Sequence, residues 1–272
     1  MPELPEVESV RRTLAPAMTH RRFVDVIVRR PDLREPFPRR FAARLTGRTA
    51  LAVDRRAKYL LVPLSSGETL VMHLGMSGWF RVEHSRSPRD AGRHDHVVFH
   101  MSSGAAVTFT DPRRFGFMDL VPKGGLETHP ALSTLGPEPL SPQFTAEALA
   151  RACRGKRTSL KAALLDQRVV AGLGNIYAVE ALHVARLSPD RQASTIATPS
   201  GTPRESAYRL VAAIKQVLLD AIERTSRRGY RGARFRVYDR EGEKCPTRGC
   251  RGTIKRIVQN GRSTFYCPAC QK

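Results

Sequence analysis

The chain has 272 residues, of which 46 are Lys or Arg and 25 are Asp or Glu, so its formal net charge at pH 7 is +21. This excess of basic residues predicts a polyanionic partner, and a hydrophobic content of 41% is enough for more than one core. No apolar run approaches the roughly 18 residues of a membrane span, and no leader precedes the first predicted helix, so we expect a cytoplasmic protein without a membrane anchor.

The N-terminal sequence MPELPEVE, residues 1–8, precedes and opens the first predicted helix. If Met1 is removed, Pro2 gains a secondary amine, and α-amino groups titrate near about 7.7–8.0, so a useful fraction is neutral and nucleophilic. Such an amine can attack a carbon with aldehyde character, and the neighbouring Glu3 is placed to move a proton. The residues alone leave equally open an ordinary start codon followed by a helix-opening Pro-Glu run.

The region 20–121 is predicted to consist of short strands. Two pairs of apolar runs each flank a Ser-Ser-Gly turn, which indicates two hairpins. Many short strands with regular turns favour a sandwich or barrel. The predicted strands are 23–28, 59–62, 69–74, 96–101 and 106–110.

The second half of the chain is predicted to be helical after a Pro-rich linker at 135–142. The predicted helices are 144–153, 158–166, 175–186 and 203–223. The last of these opens with Thr202-Pro203-Arg204-Glu205, which predicts a capping box with Pro203 at the first helical position.

Four cysteines near the C-terminus have the spacing of a metal site: Cys245, Cys250, Cys267 and Cys270. Thiolates from two short loops can surround one Zn²⁺ tetrahedrally, and four protein ligands leave no open position for catalysis. The segments between them predict a β-hairpin with Asn260-Gly261 at its turn. A redox-active pair is the alternative, although the surrounding pattern lacks a βαβ unit. Cys153 is expected to be a buried helix residue.

Three further stretches combine basic or bulky residues with glycine. A basic cluster ends at Lys58 before an apolar strand, and Asn175 opens a helix after the turn Gly172-Leu173-Gly174, where free N–H groups can bind phosphate. Two loops, 73–78 and 111–116, hold bulky side chains that could fill the space left by a flipped base, or could equally belong to a core.

These motifs, MPELPEVE, RRAKYLL, PRRFG, GLGNIYA and the four-cysteine segment, resemble the bacterial formamidopyrimidine-DNA glycosylase family over nearly the whole chain. The resemblance implies an α+β fold with an N-terminal β-sandwich domain, a helix–two-turn–helix domain and a C-terminal zinc-finger β-hairpin. The corresponding limits are 1–134, a linker at 135–143, 144–235 and 236–272. It also implies a bifunctional DNA glycosylase and AP lyase of base excision repair, which removes oxidised purines through an N-terminal proline Schiff base and β,δ-elimination.

The resemblance assigns expected roles to individual residues. The catalytic group is Pro2, Glu3, Lys58 and Arg262, where the last two contact phosphate and assist elimination. The residues expected to enter the duplex are Met76, Arg113 and Phe115, and Arg113 would read the orphaned base. The further DNA contacts are His94, Lys156 and Asn175.

The expected partner is double-stranded DNA that contains damaged bases or abasic sites, bound by a monomer in the nucleoid of a bacterium. Two alternatives stay open: an endonuclease VIII-like enzyme for oxidised pyrimidines, and a non-catalytic DNA-binding protein. The chain departs from the family at 224–234, where the connection is shorter than expected. In the family a loop here closes over 8-oxoguanine, so this departure predicts a preference for formamidopyrimidines and abasic sites.

Overall fold

The computed structural model describes residues 2–84, 92–228 and 235–272. The chain divides after Ser133 into two compact units. Among the described residues, no helix combines the length and the apolar character needed to cross a bilayer.

The first unit is a β-sandwich with a leading helix. Helix α1 (Leu4–Met18) is followed by β1 (Arg21–Val28), the short helix α2 (Phe41–Leu45) and strands β2 to β9. The remaining strands are β2 (Thr49–Ala50), β3 (Asp54–Arg56), β4 (Tyr59–Pro63), β5 (Thr69–His73), β6 (Trp79–Glu83), β7 (Asp95–Met101), β8 (Ala106–Thr110) and β9 (Phe117–Val121).

Two antiparallel sheets enclose the core of this unit. One has the order β2-β1-β7-β8-β6 and the other the order β3-β4-β5-β9. The predicted hairpins are confirmed as β4–β5 and β7–β8. The inward side chains of both sheets and one face of α1, including Val7 and Leu14, form a single apolar cluster.

The second unit contains the remaining helices and a C-terminal hairpin. Its elements are α3 (Ala146–Cys153), α4 (Leu160–Leu165), α5 (Asn175–Val184), a 3-10 turn (Ala193–Ile196), α6 (Glu205–Arg228), β10 (Lys255–Gln259) and β11 (Arg262–Tyr266). Thr145 and Ser159 cap α3 and α4, because their hydroxyls accept hydrogen bonds from the N–H groups of Ala148 and Ala162.

The capping box predicted at Thr202 is wrong, since α6 begins at Glu205. Pro203 instead forms an isolated bridge with Ala197, and the N–H of Thr202 donates to the hydroxyl of Thr198. A local turn therefore competes for the groups that the capping box would have used.

The predicted fold class, with a sandwich, a helical region and a zinc-finger hairpin, is confirmed. The domain limits remain a prediction. The Pro-rich segment 135–142 packs within the second unit, where the N–H of Gly136 donates to the carbonyl of Gln167 and Lys215 donates to the carbonyl of Ser141.

Candidate functional site

Pro2 is half-buried and lies directly before α1. Glu3 is the N-cap residue and is only 2% exposed, and its N–H donates to the carboxylate of Glu6 at 2.9 Å. The positive end of the helix dipole disfavours a protonated amine at this position. A free Pro2 nitrogen would therefore lie next in the chain to a buried carboxyl group, which is placed to move a proton to or from it.

Glu8, further along α1, is the centre of an ion-pair cluster. Its carboxylate accepts hydrogen bonds from Arg11 at 2.9 Å, from Arg12 at 2.9 Å and from Arg55 of β3 at 3.3 Å. Burial raises the pKa of Glu8, but the hydrogen bonds from Arg11 and Arg12 and the charge of Arg55 outweigh it, so the pKa lies below its usual value. The cluster fixes α1 against β3.

Arg55 extends this cluster to the turn that carries Lys58. A second guanidinium nitrogen of Arg55 donates to the carbonyl of Ala57 at 2.9 Å. Ala57 and Lys58 form the two-residue turn between β3 and β4, and Ala57 has φ = 54°, a conformation that residues with a Cβ rarely adopt. Lys58 is only 7% exposed. The contacts of Arg55 with Glu8 and Ala57 therefore connect α1, which follows Pro2, to the β3–β4 hairpin, whose turn contains Lys58.

His73 lies at the end of β5 and was missed by the sequence reasoning. Burial, with help from the charges of Lys58 and Arg34, lowers the pKa of His73 to about 4. Its Nδ1 accepts the N–H of Gly75 at 3.1 Å, so in the neutral ring the proton is on Nε2. His73 is therefore a neutral hydrogen-bond donor near physiological pH.

The three residues expected to enter DNA are in two neighbouring loops of the first unit. Met76 is 43% exposed and Phe115 is 42% exposed, so neither belongs to a core. The guanidinium of Arg113 lies 4.7 Å from the centre of the Phe115 ring. His94 is half-buried beside them, and its carbonyl accepts the N–H of Asp111 at 3.0 Å.

In the second unit, Asn175 and the zinc-finger strand β11 are in direct contact. The Asn175 side-chain amide donates to the carbonyl of Ser263 at 3.0 Å, next to Arg262. Its Oδ1 is buried without a partner among the described residues. Lys161, also missed by the sequence reasoning, donates to Thr264 at 2.6 Å, and its burial together with the charge of Arg262 lowers its pKa to about 8.

Lys156 lies in the turn after α3, where its N–H donates to the carbonyl of Cys153. The structure thus places Pro2, Glu3, Lys58, Met76, His94, Arg113 and Phe115 in the first unit, and Lys156, Asn175, Arg262 and the four clustered cysteines in the second.

The four cysteines form a site that fits one zinc ion. Their sulfur atoms all lie within 4.8 Å of one another, and the pairs Cys245–Cys270 and Cys250–Cys267 are both 3.7 Å apart. Zn–S bonds of about 2.3 Å in a tetrahedron require sulfurs about 3.8 Å apart. Gly252 is needed here, because a Cβ on it would lie 2.6 Å from the sulfur of Cys267. The predicted structural zinc is confirmed.

Comparisons with known proteins cover all three regions. Residues 1–118 match the formamidopyrimidine-DNA glycosylase N-terminal domain, residues 135–230 match the formamidopyrimidine-DNA glycosylase H2TH domain, and residues 242–272 match the zinc finger found in FPG and IleRS. A formamidopyrimidine-DNA glycosylase of Bradyrhizobium sp. (strain ORS 278) is 57% identical over 293 aligned residues, covering 100% of both chains.

Two solved structures of formamidopyrimidine-DNA glycosylases are similar to this chain over almost its whole length. The MutM (Fpg) protein of Thermus thermophilus is 41% identical, with a TM-score of 0.82 and coverage of 99% of this chain and 98% of that one. The Lactococcus lactis enzyme, solved in non-covalent complex with DNA that contains an abasic site, is 30% identical, with a TM-score of 0.86 and full coverage of both chains.

Proposed function

Since this chain belongs to the formamidopyrimidine-DNA glycosylase family, we propose that Pro2 is the nucleophile of a bifunctional reaction on damaged DNA. The protein is a DNA glycosylase of base excision repair with AP lyase activity. The observation that carries the proposal for Pro2 is its position, directly before α1 and next to the buried carboxyl of Glu3.

The proposed reaction begins once Met1 is removed. The nitrogen of Pro2 attacks C1′ of the damaged nucleotide, the bond from C1′ to the base breaks, and Glu3 moves the protons that this exchange requires. The sugar ring then opens as the bond from C1′ to O4′ breaks and O4′ takes up a proton, and the resulting iminium acidifies the neighbouring C–H bond at C2′. Loss of that proton expels the 3′ phosphate, and a second elimination expels the 5′ phosphate, with Lys58 and Arg262 contacting phosphate and assisting these steps.

The test compares protein with Met1 removed and protein that retains Met1, on duplex DNA with an abasic site. Borohydride reduces an iminium to a stable amine, so only the processed protein should form a covalent complex with DNA. Pro2→Gly, which keeps a free amine, should retain some trapping. Equal trapping by the protein that retains Met1 would refute Pro2 as the nucleophile.

We propose that the exposed pair Met76 and Phe115, with Arg113, enters the duplex when the damaged nucleotide is flipped out. Unstacking costs a few kcal/mol, and apolar side chains inserted into the stack offset part of it. The exposure of Met76 and Phe115 supports this role, because a buried side chain could not enter the stack. Neutral His73 adds a hydrogen-bond donor, its Nε2–H, to the first unit. The further proposed contacts to DNA phosphate are Asn175, Lys156 and His94.

For the lesion class, we propose formamidopyrimidines and abasic sites ahead of 8-oxoguanine. The alignment to the Bradyrhizobium relative spans 293 positions against 272 residues here, so this chain lacks positions that the relative has. The expected connection at 224–234 is corrected at its start, because α6 continues to Arg228, and its remainder, 229–234, lies outside the described residues. Fewer backbone donors around the flipped base should matter least for a ring-opened lesion, which is already weakly stacked.

The L. lactis relative has also been solved in complex with DNA that contains an oxidised pyrimidine. Oxidised pyrimidines are therefore a second proposed substrate class. As an enzyme that acts on DNA, the protein would act in the nucleoid of a bacterium.

A further inference from the structure

The two loops that carry Met76 and Phe115 share one buried carboxylate, that of Asp111, which is 0% exposed. One carboxylate oxygen accepts the hydroxyl of Ser77 at 2.5 Å and the N–H of Arg113 at 3.3 Å. The other accepts the N–H of Gly116 at 2.8 Å. A single side chain therefore bonds to the residue after Met76 and to the residues on either side of the Arg114–Phe115 pair.

The backbone of Asp111 is fixed as well. His96, which is buried, donates from Nε2 to the carbonyl of Asp111 at 2.8 Å, and the N–H of Asp111 donates to the carbonyl of His94. A buried carboxylate held on both its main chain and its side chain has little freedom to move. It can therefore act as a fixed point for both loops.

The loops also touch directly, backbone to backbone. A Cβ on Gly75 would lie 2.3 Å from the carbonyl carbon of Phe115, and a Cβ on Gly116 would lie 2.8 Å from the carbonyl oxygen of His73. Gly75 has φ = 62°, which favours glycine. The two loops consequently form one packed layer, with the exposed side chains of Met76 and Phe115 on its surface.

We propose that Asp111 is a positioning residue that joins the two loops into one rigid wedge, so that Met76 and Phe115 enter the duplex together. This rests on the proposed insertion of these side chains. Neither Asp111 nor Ser77 touches the reacting atoms in this account. Their effect is to keep the wedge in one shape, so that ordering the loops does not add to the cost of flipping.

Ser77→Ala tests the proposal with the least disturbance, because it removes one hydroxyl from a half-buried position. Ser103→Ala is the matched control: its hydroxyl donates to the carbonyl of Ala17 at 2.9 Å in the same unit, at the turn between β7 and β8. Asp111→Asn is a second variant. Asn has one acceptor oxygen, so its NH₂ group must face either the N–H of Gly116 or that of Arg113, and that hydrogen bond is lost.

The readout is the single-turnover rate of formamidopyrimidine excision from a duplex, divided by the rate from the same strand without its complement. A single strand has no base stack for the wedge to enter, so effects of a variant on folding or on the chemical step change both rates and cancel in the ratio. The ratio therefore measures the contribution of the wedge. Ser77→Ala should lower the ratio about threefold to tenfold, because the hydroxyl loses its bond to Asp111 and the longer bond that it accepts from the N–H of Arg113. Ser103→Ala should leave the ratio unchanged.

A double-mutant cycle gives the sharper signature. With Ser77 intact, Met76→Ala and Phe115→Ala should combine non-additively, because one rigid wedge loses its function with either change. In the Ser77→Ala background the two effects should become additive. An equal ratio for Ser77→Ala and Ser103→Ala, or additivity in both backgrounds, would overturn the wedge while leaving Pro2 chemistry intact. Absence of trapping by the wild-type protein would instead overturn the proposed function on which the wedge rests.

Discussion

Glu8→Gln tests the link between the helix of Pro2 and the hairpin of Lys58. The side chains of Glu8 and Arg55 are 11% and 12% exposed, whereas those of Arg11 and Arg12 are 29% and 49% exposed. Breaking a buried pair costs about 3–5 kcal/mol and an exposed pair at most about 1 kcal/mol. Since Gln keeps one acceptor oxygen, we expect a loss of about 2–4 kcal/mol, most of it from Arg55.

The matched control is Glu205→Gln, which also removes a Glu–Arg pair from a helix. Glu205 pairs with Arg209 at 3.4 Å, and its side chain is 83% exposed. Its loss should cost at most about 0.5 kcal/mol. Denaturant unfolding measures the difference, with the transition of the first unit followed for Glu8→Gln and that of the second unit for Glu205→Gln.

The same variant should also slow chemistry. Without the negative charge of Glu8, Arg55 is held less firmly, and its hydrogen bond to the carbonyl of Ala57 gives less support to the turn formed by Ala57 and Lys58. We expect borohydride trapping on abasic duplex to slow several-fold to tenfold, as for one lost hydrogen bond.

The pH dependence checks the cause of the stability loss. Because the folded pKa of Glu8 lies below 4.5, its contribution should be complete above about pH 4.5 and lost as the pH falls through the folded pKa. Stability and trapping of Glu8→Gln equal to those of Glu205→Gln would refute the reasoning.

Three further predictions follow from the site. The pKa of His73 is about 4 in the folded protein against 6.5 in the unfolded chain, so acidification between these values favours unfolding. His73→Asn keeps an acceptor for the N–H of Gly75; it should be less stable than the wild type at pH 7 but should lose less stability on acidification to pH 5. Thermal melts measure this, and parallel curves of stability against pH for the two proteins would contradict it. Metal analysis should give about one zinc per chain in the wild type and none in Cys267→Ser. Cys153→Ser should retain the zinc, because Cys153 lies outside the cluster. A full zinc content in Cys267→Ser would disprove the site. Single-turnover excision should be clearly faster for formamidopyrimidine than for 8-oxoguanine opposite cytosine, and equal rates would show that another segment replaces the longer loop of the family.

Local patterns were sufficient for most of the fold. Apolar runs on both sides of Ser-Ser-Gly turns predicted both hairpins, and Asn260-Gly261 predicted the zinc-finger turn, where both residues have positive φ. The start of α6 was misplaced because Pro203 fits both a first helical turn and the bridge that it forms with Ala197.

The supporting contacts of the site could not be predicted from the sequence. Glu8 and Arg55 are 47 residues apart, and Ser77 and Asp111 are 34 apart, so neither pair leaves a local signal. Only the spacing of Glu8 from Arg11 and Arg12 on one helix hinted at an ion-pair cluster. Met76 and Phe115 show the same limit, because their residue types favour a core whereas the structure exposes them.

The most direct test of the account is to locate the covalent bond to DNA. Wild-type protein is trapped with borohydride on an abasic duplex, the complex is digested with nuclease and protease, and the modified peptide is identified by mass spectrometry. The reaction proposed for Pro2 predicts that the sugar remnant is on the nitrogen of Pro2, in an N-terminal peptide that lacks Met1. A remnant on Lys58, or on any other lysine, would contradict it.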